Sequence, residues 1–188
     1  MRDQAVSEQG ARSAQAEGVP TVEAGGREAG GIPAGRIVVR LAQDQADIAA
    51  MIALGRQLHA ESRFRTLPLD DARMAEIGRR GLAQGNPGLL MAEHDGQVVG
   101  MAIVILGEYF FSPARTATVQ LLYVAPKARG GPAAVKLLRS LRRWAAQNGA
   151  HDLHVNVTTG IEAARTDRFL RRMGFRQTGG NYVLEGVG

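Results

Sequence analysis

Residues 127–134, Lys-Ala-Arg-Gly-Gly-Pro-Ala-Ala, join two glycines and two basic side chains to the start of an amphipathic run. That run carries Ala134, Leu137, Leu138, Leu141, Trp144 and Ala145 on one helical face. An apolar strand containing Val119, Leu121, Leu122 and Val124 ends at Pro126 just before it. A strand, a glycine-bearing turn and a helix N-terminus together make an anion site. The first-turn N–H groups lack intrahelical acceptors, they lie at the positive end of the helix dipole, and glycine lets a phosphate approach the main chain. A phosphate ester is the expected ligand. The donors are the N–H groups of Arg129, Gly130, Gly131, Ala133 and Ala134, with Lys127 and Ala128 leading into the turn. Pro132 brings no N–H but suits a first helical position. The alternative is a turn whose glycines serve backbone geometry alone.

Other chemistry is sparse. Of the four histidines, His151 and His154 lie three apart on an expected strand and so face opposite sides, while His59 and His94 are isolated, so no metal site is expected. The chain has no cysteine, which excludes disulfides, thiolate metal sites and a cysteine nucleophile and fits a reducing cytoplasm. The net charge of +5 concentrates in two helical stretches, Lys136, Arg139, Arg142 and Arg143 in one and Arg165, Arg168, Arg171 and Arg172 in the other. These read as solvated helix faces, since no nucleic-acid module is recognisable. No apolar run approaches the ~20 residues of a membrane span.

The elements that must position the turn follow from periodicity. Residues 1–35 are rich in Ala, Gly, Glu, Gln and Ser with almost no large apolar side chains, the composition of a disordered low-complexity tail. One domain spans 36–188. It begins with a strand at 36–41, then a helix capped by Asp44 or Asp47 and ending near Glu61, and a second helix from Asp70 to about Leu82. Strands at 89–93 and 97–106 flank His94-Asp95-Gly96, a tight hairpin turn, and Gly100 marks a candidate bulge. A loop over 107–115, holding Tyr109-Phe110-Phe111, leads to a strand at 116–124. Beyond the central helix come a strand at 152–158, a helix at about 162–173, and a closing hairpin of 175–177 and 182–184 across Gly179-Gly180-Asn181. A helix between the strands at 116–124 and 152–158 implies a parallel βαβ crossover.

With its turn, its element order and Met173-Gly174-Phe175, the chain resembles the GNAT superfamily of acyl-CoA-dependent N-acyltransferases over residues 36–185. The RGG turn, Thr158-Thr159-Gly160 and Gly179-Gly180-Asn181-Tyr182 are most similar to the branch often labelled phage-associated. The resemblance implies an α/β (α+β) fold: a mixed, mostly antiparallel sheet of about seven strands with a central parallel βαβ crossover and about four helices. Its pyrophosphate motif, Gln/Arg-x-x-Gly-x-Gly/Ala, falls on Lys127-x-x-Gly130-x-Pro132. The cosubstrate would be acetyl-CoA and the acceptor an unidentified amine, and sheet-edge homodimers suit the family.

Acyl transfer to an amine needs alignment, a route for the ammonium proton and a donor to the oxyanion. The resemblance implies that pantetheine lies beside the strand ending at Val124 and that a main-chain N–H within Leu122, Tyr123 and Val124 polarises the thioester. It also implies a tyrosine four residues before Gly174, where this chain has Leu170, leaving thiolate protonation to water. Candidate bases or polar partners are Glu61, Glu108, Gln120, Tyr123 and Tyr182, of which Glu108 and Tyr123 are the catalytic candidates. The competing possibilities are a non-catalytic CoA-binding module and a nucleic-acid binder.

Overall fold

A computed structural model describes residues 35–184, so the expected N-terminal tail lies outside the described residues. Strand β1 (Ile37–Leu41) leads into α1 (Gln45–Glu61), α2 (Asp71–Gln84), β2 (Gly88–His94), β3 (Gln97–Tyr109), β4 (Ser112–Val124), α3 (Ala133–Gln147), β5 (Ala150–Val155) and α4 (Ala163–Arg172). The strands stand in sequence order in one sheet, every pair antiparallel except β4 with β5. A connection through a helix puts β5 parallel to β4, which is the expected crossover.

Local chemistry sets the ends of these elements. The Asp44 carboxylate caps α1 by accepting from Asp47 N at 3.0 Å, and Asp70 caps α2 through Arg73 N at 3.0 Å. Asp47 ties α1 to β1: it accepts from Arg40 Nη1 at 2.7 Å, Arg40 Nη2 at 2.9 Å and Gln43 N at 2.7 Å. The Arg40 hydrogen bonds hold its carboxyl below the usual aspartate range despite burial. The β2–β3 turn has Asp95 and Gly96 both at positive φ, as a two-residue hairpin of this twist requires.

Three expectations change. The bulge near Gly100 falls on Val99, because Ala92 pairs with Gly100 and Glu93 with Val98. The 107–115 loop is mostly sheet: Gly107 pairs with Thr116 and Glu108 with Arg115, leaving a turn at Phe110-Phe111. Opposite charges facing across the ladder favour that extension, and Tyr109 donates to Asp152 Oδ2 at 2.5 Å. Finally, the described residues hold five strands, not about seven. Residues 175–177 and 182–184 form no ladder, and Tyr182, Val183 and Leu184 are exposed. Three-residue strands joined through two glycines offer too few cross-strand pairs to offset the entropy of ordering them.

Helices cover both faces of the sheet. On one face α3 buries Leu137, Leu141, Trp144 and Ala145 against Leu90, Ala92, Ala102, Val104, Ala117 and Val119. On the other, Ile48, Met51, Leu54 and Leu58 of α1 meet Leu89, Met91, Met101 and Tyr123. Close approach at Gly88 permits the α3 contact, for a Cβ there would stand 2.5 Å from the Trp144 ring. Gly88→Ala is therefore expected to lower stability by about 1–3 kcal/mol, measured by urea unfolding. No loss would mean that the indole shifts freely.

Candidate functional site

The cavity follows from how β4 parts from β5. Their pairing runs from Arg115–Ala150 to Val119–Val155 and then stops, while β4 continues to Val124. At that point β4 carries a bulge: Ile103 pairs with Leu121 and Val104 with Val119, leaving Gln120 extra. A bulge adds twist and bends its strand, and here it coincides with the end of the β4–β5 ladder. Arg63 helps hold the far side open, since its N–H donates to Thr159 O at 2.9 Å and its Nε to Thr158 O at 2.7 Å. A cavity of about 630 Å³ fills the gap, lined by Gln120 to Val124 of β4, Asn156 to Thr159 beyond β5, the start of α3 and one side of α4.

Main-chain direction along β4 identifies its free groups. Ala125 N donates to Val99 O at 2.9 Å, so Ala125 and, two residues earlier, Tyr123 bond toward β3. By alternation the N–H groups of Leu122 and Val124 point into the gap. Val124 O is taken by Arg129 Nε at 3.0 Å. Leu122 thus offers a strand edge to whatever occupies the gap.

The turn supplies the second group of donors. Ala128 N is used by Ala125 O and Arg129 N by Pro126 O, so Arg129 leaves the set of expected donors. The N–H groups of Gly130, Gly131, Ala133, Ala134 and Val135 have no acceptor among the described residues. Gly130 takes φ 85, which a side chain would strain, and Pro132 caps α3 with its carbonyl accepting from Lys136 N at 2.9 Å. Ala128, Arg129, Gly130, Gly131 and Ala134 line the cavity beside Leu122, Tyr123 and Val124, whereas Lys127, Pro132 and Ala133 do not. The part of the sequence-read turn that faces the cavity is thus Ala128 to Gly131 together with Ala134.

Beside the turn lies a three-residue network. Glu61, the last residue of α1, receives the Tyr123 hydroxyl at 2.5 Å and Arg129 Nη1 at 3.0 Å, with Nη2 closing a second bond. The guanidinium also stands 5.3 Å from the Tyr123 ring centroid. Arg129 holds the Glu61 carboxyl below the usual glutamate range, against the opposing effect of desolvation. Burial, then the Glu61 bond, pushes the Tyr123 hydroxyl up to about 12. Sequence inspection named Glu61 and Tyr123 separately. Arg129 as their partner is 68 residues from Glu61, and no local pattern pairs residues at that separation.

Glu108 stands elsewhere. It is exposed at the far end of the hairpin, opposite Arg115, and outside the cavity lining. Arg115 lies eight residues before Tyr123, roughly 26 Å along an extended strand. Gln120 and Leu170 do line the cavity, and Thr166, one turn before Leu170, adds a hydroxyl on the same side of α4. Tyr182 is almost fully exposed. Among the described residues no three acidic or histidine side chains converge on a metal-sized space, and no helix is long and apolar enough to cross a membrane.

Comparison with known proteins gives a family match for the sequence and a set of solved structures with the same fold. A family profile described as "Acetyltransferase (GNAT) family" matches residues 56–175. Uncharacterised N-acetyltransferases of Mycobacterium tuberculosis and Mycobacterium bovis are 32% identical over 111 residues, 59% of this chain and 64% of theirs. The chain thus aligns with just under two thirds of the length of those relatives. Among solved structures, the aminoglycoside N-acetyltransferase AAC(6')-Iy in complex with CoA superposes with a TM-score of 0.67 at 16% identity, covering 84% of this chain and 99% of that one. A ribosomal-protein-alanine N-acetyltransferase from Brucella melitensis gives 0.62 at 20% identity, covering 80% and 99%. Likeness at these identities shows a shared fold.

Proposed function

The chain belongs to the GNAT acetyltransferase family, and we propose that it moves an acetyl group from acetyl-CoA to a primary amine by direct transfer. One observation carries this: Gly130, Gly131 and Ala134, whose N–H groups have no acceptor among the described residues, and the free edge of β4 at Leu122 line the same cavity. The first set suits a pyrophosphate, and the second suits the amide-bearing arm and carbonyl of an acyl thioester. CoA in complex with AAC(6')-Iy supports the same cosubstrate. Acetyl-CoA supplies the acetyl group already activated as a thioester.

The protein's own residues then have limited tasks. Gly130, Gly131 and Ala134 hold phosphate oxygens through main-chain N–H groups at the α3 dipole. We assign Leu122 N–H as the donor to the developing oxyanion. Tyr123 and Glu61 form the polar edge on the α1 side, and Glu61 replaces Glu108 as the carboxylate to which the ammonium proton passes, directly or through water. Leu170 carries no proton, so water protonates the thiolate. Membership of the phage-associated branch, a cytoplasmic location and a sheet-edge homodimer belong to the same proposal, the first motivated by the RGG turn and the last by the unpaired outer edge of β5.

Two measurements test it together. Acetyl-CoA at a hundredfold its Kd should stabilise the fold by about 2.7 kcal/mol, read as a rise in Tm, and thiol release should accompany amine addition. No rise at saturating acetyl-CoA overturns the proposal. A rise without thiol release over a broad amine panel leaves a CoA-binding module.

A further inference from the structure

Resting on that activity, we propose that the acceptor is a monoamine on an apolar body and that polycationic amines are rejected. Two features of the cavity point this way. Leu58, Phe64, Leu121 and Ile161 line it, and Leu58, Leu121 and Ile161 all pack within the core on the α1 and α2 face, the side away from α3. Phe64 is half-buried, with the Arg63 guanidinium 4.5 Å from its ring centroid, so the ring is held as a fixed apolar surface.

Charge is the second feature. The ionic side chains lining the cavity are Arg129, Arg165 and Arg172 against Glu162. Glu162 is paired with Arg165 at 3.0 Å, and Glu61 behind the lining, bonded twice to Arg129, serves as proton acceptor for a single ammonium. An acceptor with several ammonium groups needs a carboxylate for each group it desolvates. Here the carboxylates it would meet are already shared with guanidinium groups, Glu162 with Arg165 at the exposed rim and Glu61 with Arg129, and it would face an excess of guanidinium. One ammonium, losing its proton before attack, faces no such requirement, and an apolar body gains from the Leu58, Phe64 and Ile161 surface. Several solved structures with this fold are aminoglycoside acetyltransferases, one of them in complex with sisomicin, at 16–19% identity to this chain. The shared fold does not carry their acceptor class here, because side chains and not topology set the charge of the wall.

The test compares 2-phenylethylamine and benzylamine with spermidine and kanamycin, at one pH and ionic strength, following thiol release from acetyl-CoA. The expected kcat/KM is at least tenfold higher for the arylalkyl monoamines. Equal or better turnover of the polycations overturns the proposal. Calorimetric titration of the same amines into CoA-saturated protein decides the matter where turnover is slow, and polycations binding as tightly as the monoamines would again overturn it. Phe64→Ala should cut kcat/KM for 2-phenylethylamine about tenfold while the acetyl-CoA thermal shift is kept. An unchanged value would remove Phe64 from the wall and defeat the apolar-body claim. Absence of an acetyl-CoA shift in the parent protein is a separate outcome, which removes the underlying activity and the acceptor proposal with it.

Discussion

Ala134→Glu is expected to raise the KM for acetyl-CoA by about 10–100-fold while leaving the unliganded protein at least as stable as the parent. The two effects have opposite signs for one reason. Ala134 is the second residue of α3, where a negative charge satisfies the free N–H groups and interacts favourably with the dipole, worth about 0.3–1 kcal/mol. The residue is half-buried beside Gly130 and Gly131 and lines the cavity, so the same carboxylate would stand where a pyrophosphate must. Glutamate is also a good helix former, so propensity does not oppose it. Calorimetry of acetyl-CoA binding and a thermal melt of the apo protein measure the two sides. Unchanged acetyl-CoA affinity would dissociate the α3 N-terminus from the phosphate. A large fall in apo stability would mean that Ala134 serves the core.

Glu61→Ala should cost about 1–2 kcal/mol of stability, since it strands the Tyr123 hydroxyl in a buried position and leaves Arg129 without its carboxylate. Solvent at the partly exposed Glu61–Arg129 pair keeps the loss toward the low end. Removing the hydroxyl as well, in Glu61→Ala with Tyr123→Phe, should recover part of that loss, and the double-mutant cycle measures the coupling. Additive losses would show that the three residues do not act as a unit.

The sign of the pH effect follows from the lowered carboxyls. Glu61 and Asp47 both titrate below their unfolded values in the fold, so their stabilisation is present above the usual carboxylate range. It is lost as pH falls from those unfolded values through the depressed folded ones. Acid destabilisation should therefore begin below about pH 4–5, and Glu61→Gln should start from a lower plateau and lose less on acidification, with Asp47 still contributing. In activity, Glu61→Gln should abolish any acid limb of kcat/KM that lies below the ordinary glutamate range. A limb that survives unchanged would dismiss Glu61 as proton acceptor.

Local chemistry accounts for what was legible beforehand. A cap at Asp44 or Asp47, a helix opening at Asp70, Asp95-Gly96 as a hairpin turn and the apolar stripe of α3 are written in runs of a few residues, and the structure places the first cap at Asp44 and the other features where their patterns put them. The strand–turn–helix cradle is of this kind. Which of its N–H groups stay free is not, since only the main chain shows that Ala128 N and Arg129 N are spent on the 3-10 turn at Pro126–Ala128.

From sequence alone came a glycine-bearing turn between a strand and an amphipathic helix, a parallel crossover, and Leu170 at the position where the family resemblance implies a tyrosine. Those depend on residues close in the chain, whose backbone preferences act without the rest of the molecule. Tertiary structure alone decided where β4 leaves β5, that Glu61 and not Glu108 bonds the cavity-lining Tyr123, and that Arg129 joins the two. These depend on a single bulge at Gln120 and on contacts between residues tens of positions apart, where ladder register and helix packing choose the partners. The same holds for the 175–184 segment: its strand-like residues gain order only from a partner strand, and in the described chain none is paired with them.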